Sequence, residues 1–122
     1  MKILFIGNEL MAQRLYRAFE KEDINIISSR DVPSISESIE TNKSDLVIVD
    51  STIAGAEEIC HRICNLEFVP VVLMVNEAEI SWKTIGNLNI DGFISTDAGD
   101  TEILARINAI YRRSKKTQMI LN

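Results

Sequence analysis

Apolar residues gather in five short runs along the chain, at Ile3 to Ile6, Ile24 to Ile27, Leu46 to Val49, Val69 to Val75 and Gly92 to Ile94. Runs this short, rich in Ile and Val and without polar alternation, predict strands buried on both faces. Between the runs apolar residues recur at helical spacing: Met11, Leu15, Ala18 and Phe19; Ile35 and Ile39; Ala56, Ile59, Cys60 and Ile63; and, after the fifth run, Ile103, Leu104, Ile107, Ile110 and Tyr111. Each set predicts a helix with one apolar face. The second has its own start signal, because Pro33 can open but not continue a helix and Ser34 and Glu37 stand at capping-box spacing. Glu77 to Leu88 predicts one more helix, with a pattern diluted by Ser81, Thr84 and Gly86.

Strands that alternate with helices form right-handed crossovers onto one parallel sheet covered on both faces. The expected architecture is an α/β three-layer (βα)5 sandwich. In such sheets a site forms beyond the carboxyl ends of the strands. Gly7-Asn8-Glu9, Asp50-Ser51-Thr52, Val75-Asn76 and Ser95-Thr96 follow four of the strands and should meet there.

Composition narrows the function classes. At 122 residues the chain suits one domain, and 46% hydrophobic against 25% charged residues argues against disorder. A net charge of -5 works against attraction to a phosphate backbone, so DNA contact is expected only through another domain. The start lacks the features of a secretory signal and no run could span a bilayer, so the expected place is the cytoplasm, without membrane contact.

Three stretches, Met1 to Ile6, Ser44 to Asp50 and Ile103 to Ile110, resemble the corresponding stretches of bacterial response-regulator receiver domains. The likeness runs to about Arg113, which makes 1–113 the expected receiver domain. It implies a flavodoxin-like sheet of order 2-1-3-4-5. It also implies a phosphoryl group taken from a histidine kinase by an Asp after the third strand, with Mg²⁺ held by that Asp and by acids after the first strand. Asp50 occupies the acceptor position. The acids are replaced by Gly7 and Asn8, and Glu9 matches a position that is often acidic in the family. Mg²⁺ prefers hard anionic oxygens in near-octahedral geometry, so the pocket should hold no metal, or at most a weak Mg²⁺ at Asp50. The hydroxyl residue after the fourth strand is replaced by Val75, and the Lys-Pro after the fifth by Thr96 and Asp97. Positioning and charge neutralisation are most of what a protein contributes to phosphoryl transfer. The resemblance therefore implies an atypical, non-enzymatic receiver, with Asp50 held by hydrogen bonds to backbone or Asn8. The alternatives are a true phosphoacceptor that uses Asn8 and Glu9 as substitute ligands, and a flavodoxin-like small-molecule binder.

The last apolar stripe, Glu102 to Arg113, looks most like that of OmpR/PhoB-type winged-helix regulators. Those receivers pair through the fourth helix, fifth strand and fifth helix, and Asp91, Glu102, Arg106 and Arg113 match charged positions of that interface. Gly92 departs from it, standing where the family commonly has a second Asp. The resemblance thus implies a homodimer, with a histidine kinase or another signalling protein as further partner. Ser114 to Asn122 resembles a linker and the first strand of a following, DNA-binding domain. Cys60, His61 and Cys64 lack the four ligands of a structural zinc site, so Cys60 is read as core. Arg112, Arg113, Lys115 and Lys116 are read as favourable charge at the last turn of a helix.

Overall fold

The computed structural model describes residues 1–29, 39, 43–64 and 69–121. Within them the chain runs β1 (Lys2–Ile6), α1 (Glu9–Phe19), β2 (Asn25–Ser29), β3 (Leu46–Asp50), α2 (Ala56–Cys64), β4 (Val71–Val75), α3 (Trp82–Asn87), β5 (Gly92–Ser95) and α4 (Asp100–Leu121). The five strands form one parallel sheet of order β2-β1-β3-β4-β5, as the resemblance implies. Register is fixed by pairs such as Ile3 with Leu46 and Asp50 with Met74.

The alternation of side chains across the sheet divides the core in two. Ile3, Phe5, Ile48, Met74 and Ile94 pack with Ala12, Leu15 and Phe19 of α1 and Ile103, Ile107 and Ile110 of α4. Leu4, Ile6, Val47, Val49, Leu73 and Val75 pack on the other face with Ala56, Ile59, Cys60 and Ile63 of α2. All residues of β3 and β4 are buried, which is why those runs carry no polar alternation. The helical stripe expected around Ile35 and Ile39, with Pro33, Ser34 and Glu37, lies outside the described residues except for Ile39, which is buried in the second cluster.

Two helices differ from their expected spans. The segment expected as Glu77 to Leu88 is helical only from Trp82 to Asn87. The Asn76 side chain accepts the Ala78 N–H at 3.1 Å, and its carbonyl accepts those of Glu79 and Ile80 at 3.0 and 3.1 Å. That local turn competes with the helix, which starts only after Ser81 accepts the Thr84 N–H. The helix expected to end at Arg113 continues to Leu121. Met119 to Leu121 are therefore helical and not a strand, and the basic run from Arg112 lies inside α4 instead of at its last turn. The physical reason is that neither Gly nor Pro follows Arg113 to stop the helix.

Candidate functional site

Asp50 is the last residue of β3 and is 1% exposed. Four donors converge on its carboxylate. Asn8 gives Oδ2 its backbone N–H at 3.2 Å and its side-chain amide at 2.7 Å. Thr52 gives Oδ1 its backbone N–H at 2.9 Å and its hydroxyl at 2.7 Å. A buried carboxylate without such partners would be costly, and hydrogen bonds to a charged acceptor are each worth about 1.5–3 kcal/mol. Asn8 is fixed in turn, because its Oδ1 caps α1 by accepting the Met11 N–H at 2.9 Å.

Gly7 is more than a missing ligand. A Cβ built there would lie 2.4 Å from the Asp50 Cβ and 2.5 Å from the Phe5 ring. Phe5, fully buried two residues earlier on β1, fills the space a side chain at position 7, just past the strand, would take. Gly92 repeats the pattern, since a Cβ there would meet the Ile110 side chain at 2.7 Å. Each glycine thus stands beside a large apolar group, at a position where the resemblance implies an acid.

Offered to Mg²⁺, this donor set is a poor match. Both Asp50 oxygens are occupied by protein donors, the Asn8 carbonyl oxygen is spent on the helix cap, and Gly7 offers no ligand. Among the described residues no three of His, Cys, Asp and Glu gather as metal ligands. Glu9 is exposed in the first turn of α1, where a negative charge suits the helix dipole.

The two positions where the resemblance implies switch residues, Val75 and Thr96, lie at the end of β4 and just after β5. Val75 is fully buried in the apolar core. Thr96 donates its N–H to the Val75 carbonyl at 2.8 Å. The backbone carbonyls of Thr96 and Ala98 accept the two guanidinium nitrogens of Arg14, from α1. Sequence reasoning missed Arg14, for which no local signal exists, and Phe5, which reads as an ordinary strand residue. Thr52 lies in the Asp50-Ser51-Thr52 stretch expected at the site, but its part as a double donor to Asp50, an Asx turn reinforced by the hydroxyl, was not read.

Beside the pocket, an open cleft of about 430 Å³ runs from Ser51 and Thr52 past Asn76 to Ser81 and Thr84. Neither Lys nor Arg lines it among the described residues, so it offers no cation to a phosphate-bearing ligand. Cys60, His61 and Cys64 do not converge: Cys60 is buried, His61 is exposed, and the Cys64 thiol donates to the Asn89 carbonyl. Burial, ahead of the nearby Cys64 and Glu57, pushes the Cys60 thiol up to about 11.

Asp91, expected at a dimer face, uses its carboxylate to accept the Val71 N–H at 2.7 Å. Glu102 and Arg106 are exposed one turn apart on α4, and Arg113 is exposed further along the same helix. No helix among the described residues is long and apolar enough to cross a membrane.

No family model matches the chain. It is 25% identical over 119 residues to the alkaline phosphatase synthesis transcriptional regulatory protein PhoP of Bacillus subtilis, covering 93% of this chain and 50% of that protein. It is 28% identical over 109 residues to the sensory transduction protein RegX3 of Mycolicibacterium smegmatis, covering 86% and 47%. The chain therefore spans about half the length of these curated relatives. A solved two-component response regulator from Clostridium difficile is 26% identical, with a TM-score of 0.76 over 93% of this chain and 97% of that one.

Proposed function

The chain is a receiver domain of the response-regulator type, and from that premise we propose that it signals without phosphorylation of Asp50. The observation that carries this reading is the sealed carboxylate. Both oxygens of Asp50 already accept two hydrogen bonds each, from Asn8 and Thr52. Attack on a phosphodonor would have to release those bonds, with Thr96 where the family has a Lys and no acid at position 7 to share a cation. Asp50 is then a structural anchor that ties the loop after β1 to the loop after β3.

Output on this reading passes through contact with a partner or a second copy. The surface formed by α3, β5 and α4, which are the fourth helix, fifth strand and fifth helix of the sequence reading, supports self-association. Trp82 is 54% exposed there and meets Phe93 edge to face, with ring centroids 5.4 Å apart. The exposed Glu102 and Arg106 add charge of both signs. On this reading the receiver itself does not grip DNA, and any DNA contact is assigned to another domain; the chain spans about half the length of the curated relatives. A histidine kinase or another signalling protein remains a partner on this reading, as a docking contact.

The test is intact-mass spectrometry after incubation with acetyl phosphate and Mg²⁺. No phosphoryl adduct is expected. Stoichiometric labelling that disappears in Asp50→Ala would overturn the reading and establish the phosphoacceptor alternative.

A further inference from the structure

We propose that Arg14 is a positioning residue that couples the Asp50 pocket to α4 through α1. Besides packing on the sheet through Ala12, Leu15 and Phe19, helix α1 is tied by hydrogen bonds at two points. At its start Asn8 caps the helix with one side-chain atom and binds Asp50 with the other. Six residues further on, about 9 Å along the axis at the rise of an α-helix, Arg14 grips the carbonyls of Thr96 and Ala98. These carbonyls belong to the segment that leads from β5 into α4, and Ala98 and Ile103 are buried in the same core as Ala12 and Leu15. A helix is stiff over this length, so α1 cannot tilt or rotate at Asn8 without pulling on the loop that Arg14 holds.

The route matters because the usual one is absent. Val75 has no hydroxyl with which to read the pocket, and Thr96 has no cation to reach into it. A planar guanidinium donates two parallel bonds in a fixed geometry, which suits it to transmit orientation as well as charge. Any event that rearranges Asn8 and Asp50 is then passed through Arg14 to the first turn of α4, beside Glu102 and Arg106. The inference rests on Asp50 being an anchor. Labelling of Asp50 would overturn that reading without touching the measurement below, which uses no phosphodonor.

Amide hydrogen exchange tests it. The reporters are Thr96, Ala98 and Ile103, whose N–H groups bond to Val75, Ser95 and Gly99. Leu4 and Val47, in the central strands, report global opening. Relative to those controls, Arg14→Ala should speed exchange at the reporters roughly tenfold, and Asn8→Ala should speed it several-fold, where tenfold corresponds to about 1.4 kcal/mol. In the Arg14→Ala background Asn8→Ala should add nothing, because the connection is already cut. Purely additive effects, or reporters that follow the central strands, would overturn the coupling. If Arg14→Ala does not fold, Arg14→Lys, which keeps the charge but loses the fork, carries the same cycle. With Lys the Asn8→Ala effect should be reduced, and an undiminished effect would overturn the coupling.

Discussion

At position 7 even a methyl group lacks room. Contacts of 2.4 and 2.5 Å to Asp50 and Phe5 must be relieved by moving a buried ring or the end of β3. Gly7→Ala should therefore lower stability by about 1–3 kcal/mol, the usual range for overpacking. Thermal melts check this, and Phe5→Val, costly by itself because it opens a cavity, should cost less in the Gly7→Ala chain than in the original one. An unchanged melting temperature would mean that the ring yields freely. The same crowding changes what restoring an acid would do: Gly7→Asp brings a clash along with its charge. The residue scale also sets the chemistry of the thiols. The folded Cys60 group is raised from 9.0 to about 11, so its protonated form contributes stability that is present below pH 9.0 and is lost as pH climbs towards 11. At pH 8 native Cys60 should resist alkylation by iodoacetamide, and prompt modification seen by mass spectrometry would contradict its burial. That no acid stands at position 7 was plain in the sequence. That Phe5 takes the space was not, because only three-dimensional proximity identifies which neighbour fills it.

Two acids serve the ends of strands in the same way. Asp45 accepts the Lys2 N–H at 2.8 Å where β1 begins, and Asp91 accepts the Val71 N–H at 2.7 Å where β4 begins. Each satisfies a donor at the start of a central strand. Asp91→Ala should accordingly cost the isolated domain about 1–3 kcal/mol, the penalty for an unpaired donor, measured by urea melts at a concentration too low for association. If Asp91 acted only between copies, stability under dilution would not change. The three inner strands were legible because burial on both faces leaves an apolar run that few other elements produce, whereas β2 and β5, expected to be buried in the same way, stand at the sheet edges and are only partly buried. The start of α3 was not legible, since the turn that delays it is built by Asn76, a residue the apolar pattern ignores. The end of α4 was misread for another reason: the resemblance supplied a boundary at Arg113 that the local residues, free of Gly and Pro, do not support.

Over the whole molecule, the sheet collects the pocket at one end and exposes charge and aromatic surface along one side. If copies pair through α3, β5 and α4, Arg106→Glu should shift sedimentation towards the monomer while leaving the far-ultraviolet spectrum unchanged. A dimer that survives this change but is lost on altering another face would relocate the interface. The close approach of Ile110 to Gly92 bears on that face too, because it fills with hydrocarbon the place of a second acid. Helix α4 is twice the length of α1, 22 residues against 11. Ile103, Ile107 and Ile110 seat it on the sheet, and the backbone then continues unbroken from Tyr111 to Leu121, adding about 16 Å at the rise of an α-helix. Because these isoleucines lie in its first half, α4 has the geometry of a lever. A tilt of about 10° at its isoleucine fulcrum, small enough for side chains to absorb, would swing the far end by about 3 Å over that length. The stroke is largest at the Leu121 end, so whatever lies against that end feels it most.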